Sequence, residues 1–546
     1  MDKRSLLAIV LSVLILIVYQ VITSYLYPPT KQTTRTPPGE PIAPDIFPTP
    51  QPPRAEQQEA RPALAPPAAA QPQSPAERDF TVENEVYTAV FTTRGGRLKS
   101  LRLKHYPGDT GRDSPPREMV QNGALGDLPL GVQLEGKDLA VVDDQVLYEA
   151  SGSDILLRAG EQATLEFRGK TRNGLLITKT FSFSGQMYGM TLTVTIAGAP
   201  ENTAFVSLLW THALQRQQSS SYQVHGPVAL VERKFVYEAA TSVAEKEKVL
   251  GPGHIRWAGY ADTYFLAAMI PPEGEMHRLL LHANNGAVET KLTSPWNREA
   301  LTYELYVGPK EFTALNAVHP ALDRAIDFGW SHVIARPLVS VLKFSYSLTG
   351  NYGIDIILLT FLVKLVFFPL SNKSFKSMAE MRKLQPQMER LREQYKDDRE
   401  QLNKETMELY RRHKINPLGG CLPMVVQLPV FIGLYQVLSQ AIELRQAPFF
   451  GWIQDLSTPD RLGSVALPFI EPPGIPVLTL LMGGTMLIQQ AMTPATGDPM
   501  QQKMMMLMPL VFTVMFVNFP AGLVLYWLIN NVLSIAQQYA YTKGLV

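Results

Sequence analysis

The residue best placed to do chemistry in this sequence is a lysine inside an apolar run. Lys364 stands in YGIDIILLTFLVKLVFFPL, about six residues from the inner end of a stretch long enough to cross a bilayer, roughly 9 to 10 Å below the interface at 1.5 Å per residue. An ammonium at the centre of such a helix costs about 2.5 to 3.5 kcal/mol. The plain reading is that its four-carbon stem snorkels to the headgroups. The functional reading rests on other polar residues at similar depth. Thr360 lies one turn earlier on the same helix face, Gln427 sits in CLPMVVQLPVFIGLYQVLSQ, and Tyr526, Asn530, Ser534 and Gln537 recur as one polar stripe. A polar group facing lipid goes unsatisfied, so Lys364, Thr360, Gln427, Tyr526 and Asn530 are expected to share an inward, hydrated cavity. The alternative is that each hydrogen-bonds a neighbouring helix. No carboxylate at that depth balances Lys364; Asp355 lies near the outer end and on the opposite face. An uncompensated cation in a hydrated cavity is suited to receive an acidic chain.

Other chemistry finds no footing. The histidines are scattered, the lone cysteine, Cys421, excludes a disulfide framework, and no GxxxxGK[ST], HExxH or GxSxG occurs. No catalytic residue, metal or cofactor is therefore expected. With Lys+Arg 50 against Asp+Glu 49, overall charge does not point to a polyanion.

The elements that position these residues follow from composition. Leu6 to about Tyr27 reads as a membrane span; Lys3 and Arg4 before it favour a cytoplasmic N-terminus, and bulky residues with Pro28-Pro29 after it, without a small-x-small cleavage site, favour an uncleaved signal anchor, residues 1–27. Residues 28–79, rich in Pro, Ala and Gln, cannot bury a core and read as an extended linker. Period-two alternation in YTAVFTT, ATLEFRG, LLITKTFSFS and MTLTVTI marks 80–320 as an antiparallel β domain. Its Trp210, Trp257 and Tyr264 lie in apolar runs and read as core. Residues 321–350 mix apolar and charged positions, as an interfacial amphipathic helix does.

Five further apolar segments follow, at about 352–371, 418–441, 474–490, 505–519 and 521–540, giving six transmembrane helices with the anchor. Basic residues test the topology, because short cytoplasmic loops are rich in Lys and Arg. Twelve of them, from Lys373 to Lys414, fall between the second and third spans, whereas the next loop has only Arg445 and Arg461. Both termini and the basic loop, 373–415, are therefore expected in the cytoplasm. Within it Met378, Met381, Leu384, Met388, Leu391 and Tyr395 recur at helical spacing, and Leu402, Leu409 and Tyr410 resume after Lys396-Asp397-Asp398. This predicts a helical hairpin with a narrow apolar seam, either packed on itself or offered to an apolar partner, with Pro386 kinking or shortening its first helix. Eight acidic residues dilute the twelve basic ones, which weakens any case for RNA binding by this loop.

The segments NPLGGCLPMVVQLPVF, ELRQAPFFGWIQDLS, DPMQQKMMMLMP and FPAGLVLYWLINN resemble the signatures of the YidC-type membrane protein insertases, closely over residues 350–541. The anchor, linker and β domain resemble the Gram-negative branch of that family. The resemblance implies an α-helical polytopic membrane protein with a five-helix insertase core (351–541) plus an all-β periplasmic supersandwich domain. It implies an inner-membrane location and a hydrophilic groove open to the cytoplasm and to lipid. The family's groove arginine falls on Lys364 here, which keeps the charge and loses the planar fork. Its paired aromatics fall on Tyr526 and Trp527. Thr360, Gln427 and Asn530 complete the groove set, and substrate is expected to slide past Leu428, Phe431, Met515 and Phe516. Implied partners are nascent membrane proteins, the lipid bilayer, the Sec translocon and a weak ribosome contact, with no specific nucleic acid. Two rivals remain from the residues alone: a secondary transporter, which would want repeats and mid-membrane carboxylates, and a membrane-anchored periplasmic carbohydrate-binding sensor.

Overall fold

The computed structural model describes residues 77–543 apart from 110–113, 122–127, 137–138, 201–202, 214–224, 285, 298, 397, 414–421, 467–469, 471 and 493–498. The expected anchor, and the expected linker up to residue 76, lie outside the described residues. The chain separates into two compact units, one containing Pro386–His413 and the other formed by Ser74–Gln385 with Lys414–Val546.

Strand-forming alternation governs the first part of the larger unit. In Leu176–Ser184 the side chains of Ile177, Lys179, Phe181 and Phe183 are buried while those between them are less so, the pattern of a strand with one face on a core. Strands between Asp79 and Pro309 build three sheets of five, nine and six strands. Among the described residues the strands pair antiparallel, except that Asp79–Glu83 runs parallel to Ile155–Leu156. Side chains from all three sheets meet in one apolar cluster, in which Phe91 lies 4.7 Å from Phe181 between ring centres and Trp210 is fully enclosed. Trp257 is also core, its indole Nε1 donating to Ala321 O at 2.9 Å.

One lysine shares that core. Lys179 Nζ donates to Gly95 O (2.7 Å) and Leu130 O (2.9 Å) and pairs with Asp143 at 2.5 Å, while Arg97 holds the other oxygen of Asp143 at 3.0 Å. Both ends of the Lys179–Asp143 pair are completely buried. Charges survive there only because each has a full set of partners.

Two short helices, Ala240–Glu245 and Phe312–Val318, precede the long ones. Helix α1 covers His332–Thr349, and the chain before it makes only 3-10 turns at Pro320–Ala325 and Gly329–Ser331. Helix was expected from residue 321; Gly329, at φ 56°, breaks the run. Gly350, in the left-handed conformation at φ 65°, ends α1 and donates to Tyr346 O at 2.8 Å. One face of α1 buries Ala335, Val339 and Leu342. Val333, Phe344 and Leu348 on other faces are exposed, as is Trp330 just before it.

Helix α2 spans Tyr352–Gln394, 43 residues, about 65 Å at 1.5 Å per residue and roughly twice what a bilayer core needs. Of the kink or shortening expected at Pro386, shortening does not occur: the helix runs on to Gln394, and the flanking Gln, Met, Glu, Arg and Leu are strong helix formers. Then come α3 (Arg399–Arg412), α4 (Leu422–Gln440), α5 (Val477–Met492), α6 (Pro499–Phe516) and α7 (Ala521–Thr542). Among the described residues only α2 is both long and apolar enough to cross a membrane by itself; α5 and the Met504–Phe516 part of α6 are apolar but shorter. In the smaller unit the Tyr410 hydroxyl of α3 donates to the Met388 sulfur at 3.1 Å. Asp398 caps α3 by accepting from Gln401 N at 3.0 Å.

Candidate functional site

The groove candidates converge on α7. Its residues from Ala521 to Tyr526 are buried, and its next turns carry Asn530, Ser534 and Gln537 along one face. Lys364 of α2 reaches that face: its Nζ donates to Ser534 Oγ at 2.7 Å. Ser534 passes its own hydrogen to Asn530 O at 2.7 Å, one turn back. Gln427 of α4 donates to Asn530 Oδ1 (3.0 Å) and to the Tyr526 hydroxyl (3.3 Å). At the far end of the stripe Gln537 donates to Asn372 Oδ1 at 2.7 Å. Four polar side chains of α7 thus engage α2 and α4.

The partners differ in kind from those in the β domain. Lys179 has a carboxylate, whereas Lys364 has a hydroxyl and, among the described residues, no carboxylate within ion-pair distance. A hydroxyl positions an ammonium without neutralising it, so the site keeps a net positive charge. Lys364 is half-buried, Tyr526 is 1% exposed, and Gln427 and Asn530 are half-buried. Thr360 is buried and spends its hydrogen on Ile356 O, one turn earlier, at 2.6 Å, leaving only acceptor capacity.

Trp527 faces an aromatic group. Its ring meets Phe431 edge-on at 4.7 Å, with Phe516 at 5.2 Å and Phe512 at 6.2 Å. Of the four residues expected along the sliding path, Leu428 and Met515 are exposed, Phe431 is half-buried, and Phe516 is buried in the bundle. Among the hairpin residues Met381, Leu384 and Met388 are buried, and Met378, Leu391 and Tyr395 are half-buried.

Ser534 and Asn372 were not among the residues singled out for the groove. Ser534 stands in the polar stripe read from the sequence, one turn after Asn530, but outside the groove set. Asn372 carries no such signal, because SNKS at the end of an apolar run reads as ordinary solvated polarity. Chemically the arrangement can bind an anion and exchange hydrogen bonds with a polar chain.

Comparison with known proteins agrees along the whole chain. The family described as 60Kd inner membrane protein matches residues 344–545, and the family described as YidC periplasmic domain matches residues 79–341. A protein of Citrifermentans bemidjiense named membrane protein insertase YidC is 43% identical over 477 residues, 86% of each chain. One of the same name from Syntrophus aciditrophicus is 41% identical over 559 residues, 100% of each chain. A crystal structure of an active YidC insertase with its first transmembrane domain resolved is 18% identical, covering 85% of this chain and 93% of that one, with a TM-score of 0.37. On these full-length identities, the chain belongs to the YidC family of membrane protein insertases.

Proposed function

We propose that this chain inserts nascent membrane proteins into the bacterial inner membrane through a hydrated groove between α2, α4 and α7, and helps them fold there. Six transmembrane helices, an outer supersandwich domain and cytoplasmic termini complete the reading. The observation that carries the groove is Lys364 held by Ser534 beside the Gln427–Asn530–Tyr526 network. A client's short polar flank enters against these groups instead of crossing bare hydrocarbon, where each unsatisfied polar group costs several kcal/mol. Its acidic side chains are drawn to the Lys364 ammonium. Its apolar part passes along Leu428, Phe431, Met515 and Phe516 and partitions into lipid, which drives release.

The cytoplasmic hairpin, with Met378, Met381, Leu384, Met388, Leu391 and Tyr395, receives the client first; methionine adapts to varied apolar partners. No covalent chemistry or nucleotide is required. Work beside the Sec translocon and a weak ribosome contact fit this reading.

The test is insertion into liposomes. Purified protein is reconstituted without nucleotide, and a one-span client with an acidic N-terminal flank is scored by protease protection. Wild type inserts it; Lys364→Ala lowers the rate about tenfold, the worth of one charge-assisted contact; Lys364→Arg remains close to wild type. Equal rates for wild type and Lys364→Ala would sink the charge role and leave snorkelling. No insertion by wild type of a competent client would turn the function toward obligate Sec partnership or transport.

A further inference from the structure

At the end of the bundle opposite Lys364, one stretch of chain holds three helix ends. Asp460, 3% exposed, accepts from Leu478 N at 2.7 Å and from the Thr479 hydroxyl at 3.1 Å, in the first turn of α5. Its neighbour Arg461 donates to Val517 O at 3.0 Å, immediately past the C-terminal end of α6, and to Asn518 Oδ1 at 2.9 Å. It also donates to Pro472 O and Asp460 O, each at 2.8 Å. Thr458 O and Leu456 O accept from Ala521 N (2.7 Å) and Gly522 N (2.9 Å), the first residues of α7. Helix-end groups lack intrahelical partners, and their partial charge is positive at N-termini and negative at C-termini. The carboxylate meets the first kind and the guanidinium the second. Adjacent residues of opposite charge thus tie α5 to α6, while the backbone just before them ties α7.

What lies beneath is thin. Along α7 the fully apolar buried run Leu523, Val524 and Leu525 separates the capped end from Tyr526, where the polar stripe begins. With Ala521 and Gly522 that is five residues, about 7 Å of dry helix at 1.5 Å per residue. Ile356 and Leu456 pack beside Gly522 in this layer and are both 1% exposed or less. Splaying of α5, α6 and α7 at this end would let water through so short a barrier and join the hydrated groove to the outer side.

We propose that Asp460 and Arg461 form a clasp that seals the outer end of the groove, acting as positioning residues for insertion and as a guard on the membrane's permeability barrier. This rests on the groove and topology proposed above. Neither residue touches the client; they act by keeping three helix ends together while the other end of the groove admits it.

The test uses the full chain in right-side-out vesicles, with Cys421→Ser and Leu525→Cys so that the only thiol lies in the dry layer. A membrane-impermeant maleimide is added outside, and leak of trapped potassium is followed in parallel, both without client. With the clasp intact, labelling and leak stay at the level of protein-free controls. Arg461→Gln and Asp460→Asn raise both about tenfold or more, as expected when charge-assisted contacts to helix ends are lost. Arg461→Lys, which keeps the charge but cannot reach every acceptor, falls between, and it carries the test if a stronger variant does not fold. Folded Arg461→Gln and Arg461→Lys proteins that label and leak like wild type would overturn the clasp, as would labelling of the intact protein. Because no client is present, these results stand apart from the insertion assay: a chain that fails to insert yet leaks when unclasped would refute the function and keep the seal.

Discussion

Lys179 and Lys364 show what a side chain's partner decides. Lys179 sits among carbonyls and a carboxylate and does structural work; burial pulls its pKa down to about 8, against the pull of Asp143 in the other direction. Lys179→Met should lower β-domain stability by about 3 to 5 kcal/mol, the cost of breaking a buried ion pair, read from urea unfolding followed at Trp210. Conservation of that stability would mean the carbonyl cage tolerates loss of its cation. His212 gives a pH test. It stacks on Tyr260 at 3.8 Å, and burial lowers its pKa to about 4 from 6.5. A depressed histidine contributes stability present above pH 6.5 and lost as pH falls toward 4, because the unfolded chain takes up the proton first. Between pH 7 and pH 5 it should cost about 1 to 2 kcal/mol, and His212→Phe should flatten that part of the profile.

At this scale the sequence was legible where a residue violates its surroundings. Lys364 announces itself by its cost, and Gln427, Tyr526 and Asn530 by polarity in apolar runs; all four meet at α7. Lys179 violates its surroundings equally, since Ile177, Phe181 and Phe183 set the inward phase of its strand. Its partners Asp143, Gly95 and Leu130 come from elsewhere in the chain, and no local pattern brings them together.

Among the elements, α1 is held by a cation between two acids. Lys343 lies 3.1 Å from Glu311, next to the last β strand, and 2.9 Å from Glu443, just after α4. Although burial lowers its pKa, Glu443 and Glu311 together push it up. Lys343→Glu would set three carboxylates together, and amide hydrogen exchange over 332–349 should accelerate; Lys343→Arg should leave it slow. The contacts are half-exposed, so the effect on global stability stays within about 1 kcal/mol. Periodicity revealed the hairpin and the strands because each buries one face. The start of α1 escaped it, since the apolar rhythm continues through Gly329 and only backbone conformation stops the helix there. The 43 residues of α2 were read as a span and a separate hairpin helix because hydropathy drops at Lys373 while helix propensity does not.

Across the whole molecule the β domain meets the helical part at specific points. Arg445, after α4, donates to Pro107 O and Gly108 O, both at 2.9 Å, and lies over one ring, Phe265, that Arg117 also covers. Arg445→Ala should loosen this joint, widening the distance distribution between spin labels on the β domain and on α5. Insertion of a simple one-span client should fall little. Deleting about residues 80–310 should likewise leave much insertion activity, provided α1 is kept; a complete loss would favour a sensor role for the outer domain. The β class and the helical class were readable from composition, but this joint was not, because Arg445 and Pro107 are far apart in sequence and unremarkable in type.

The exposed side chains of Trp330, Val333, Phe344 and Leu348 give α1 a second apolar surface beside the one it buries. On the proposed topology this surface would be wetted by lipid while the other is bolted to protein, and α1 would work as a depth gauge. Its preferred immersion would set how high the β domain rides and how far Lys364 sits below the opposite headgroups. In a thinner bilayer the gauge and the ammonium would draw closer to their respective surfaces together, so the distance a client's polar flank must travel would track the thickness of the membrane it enters.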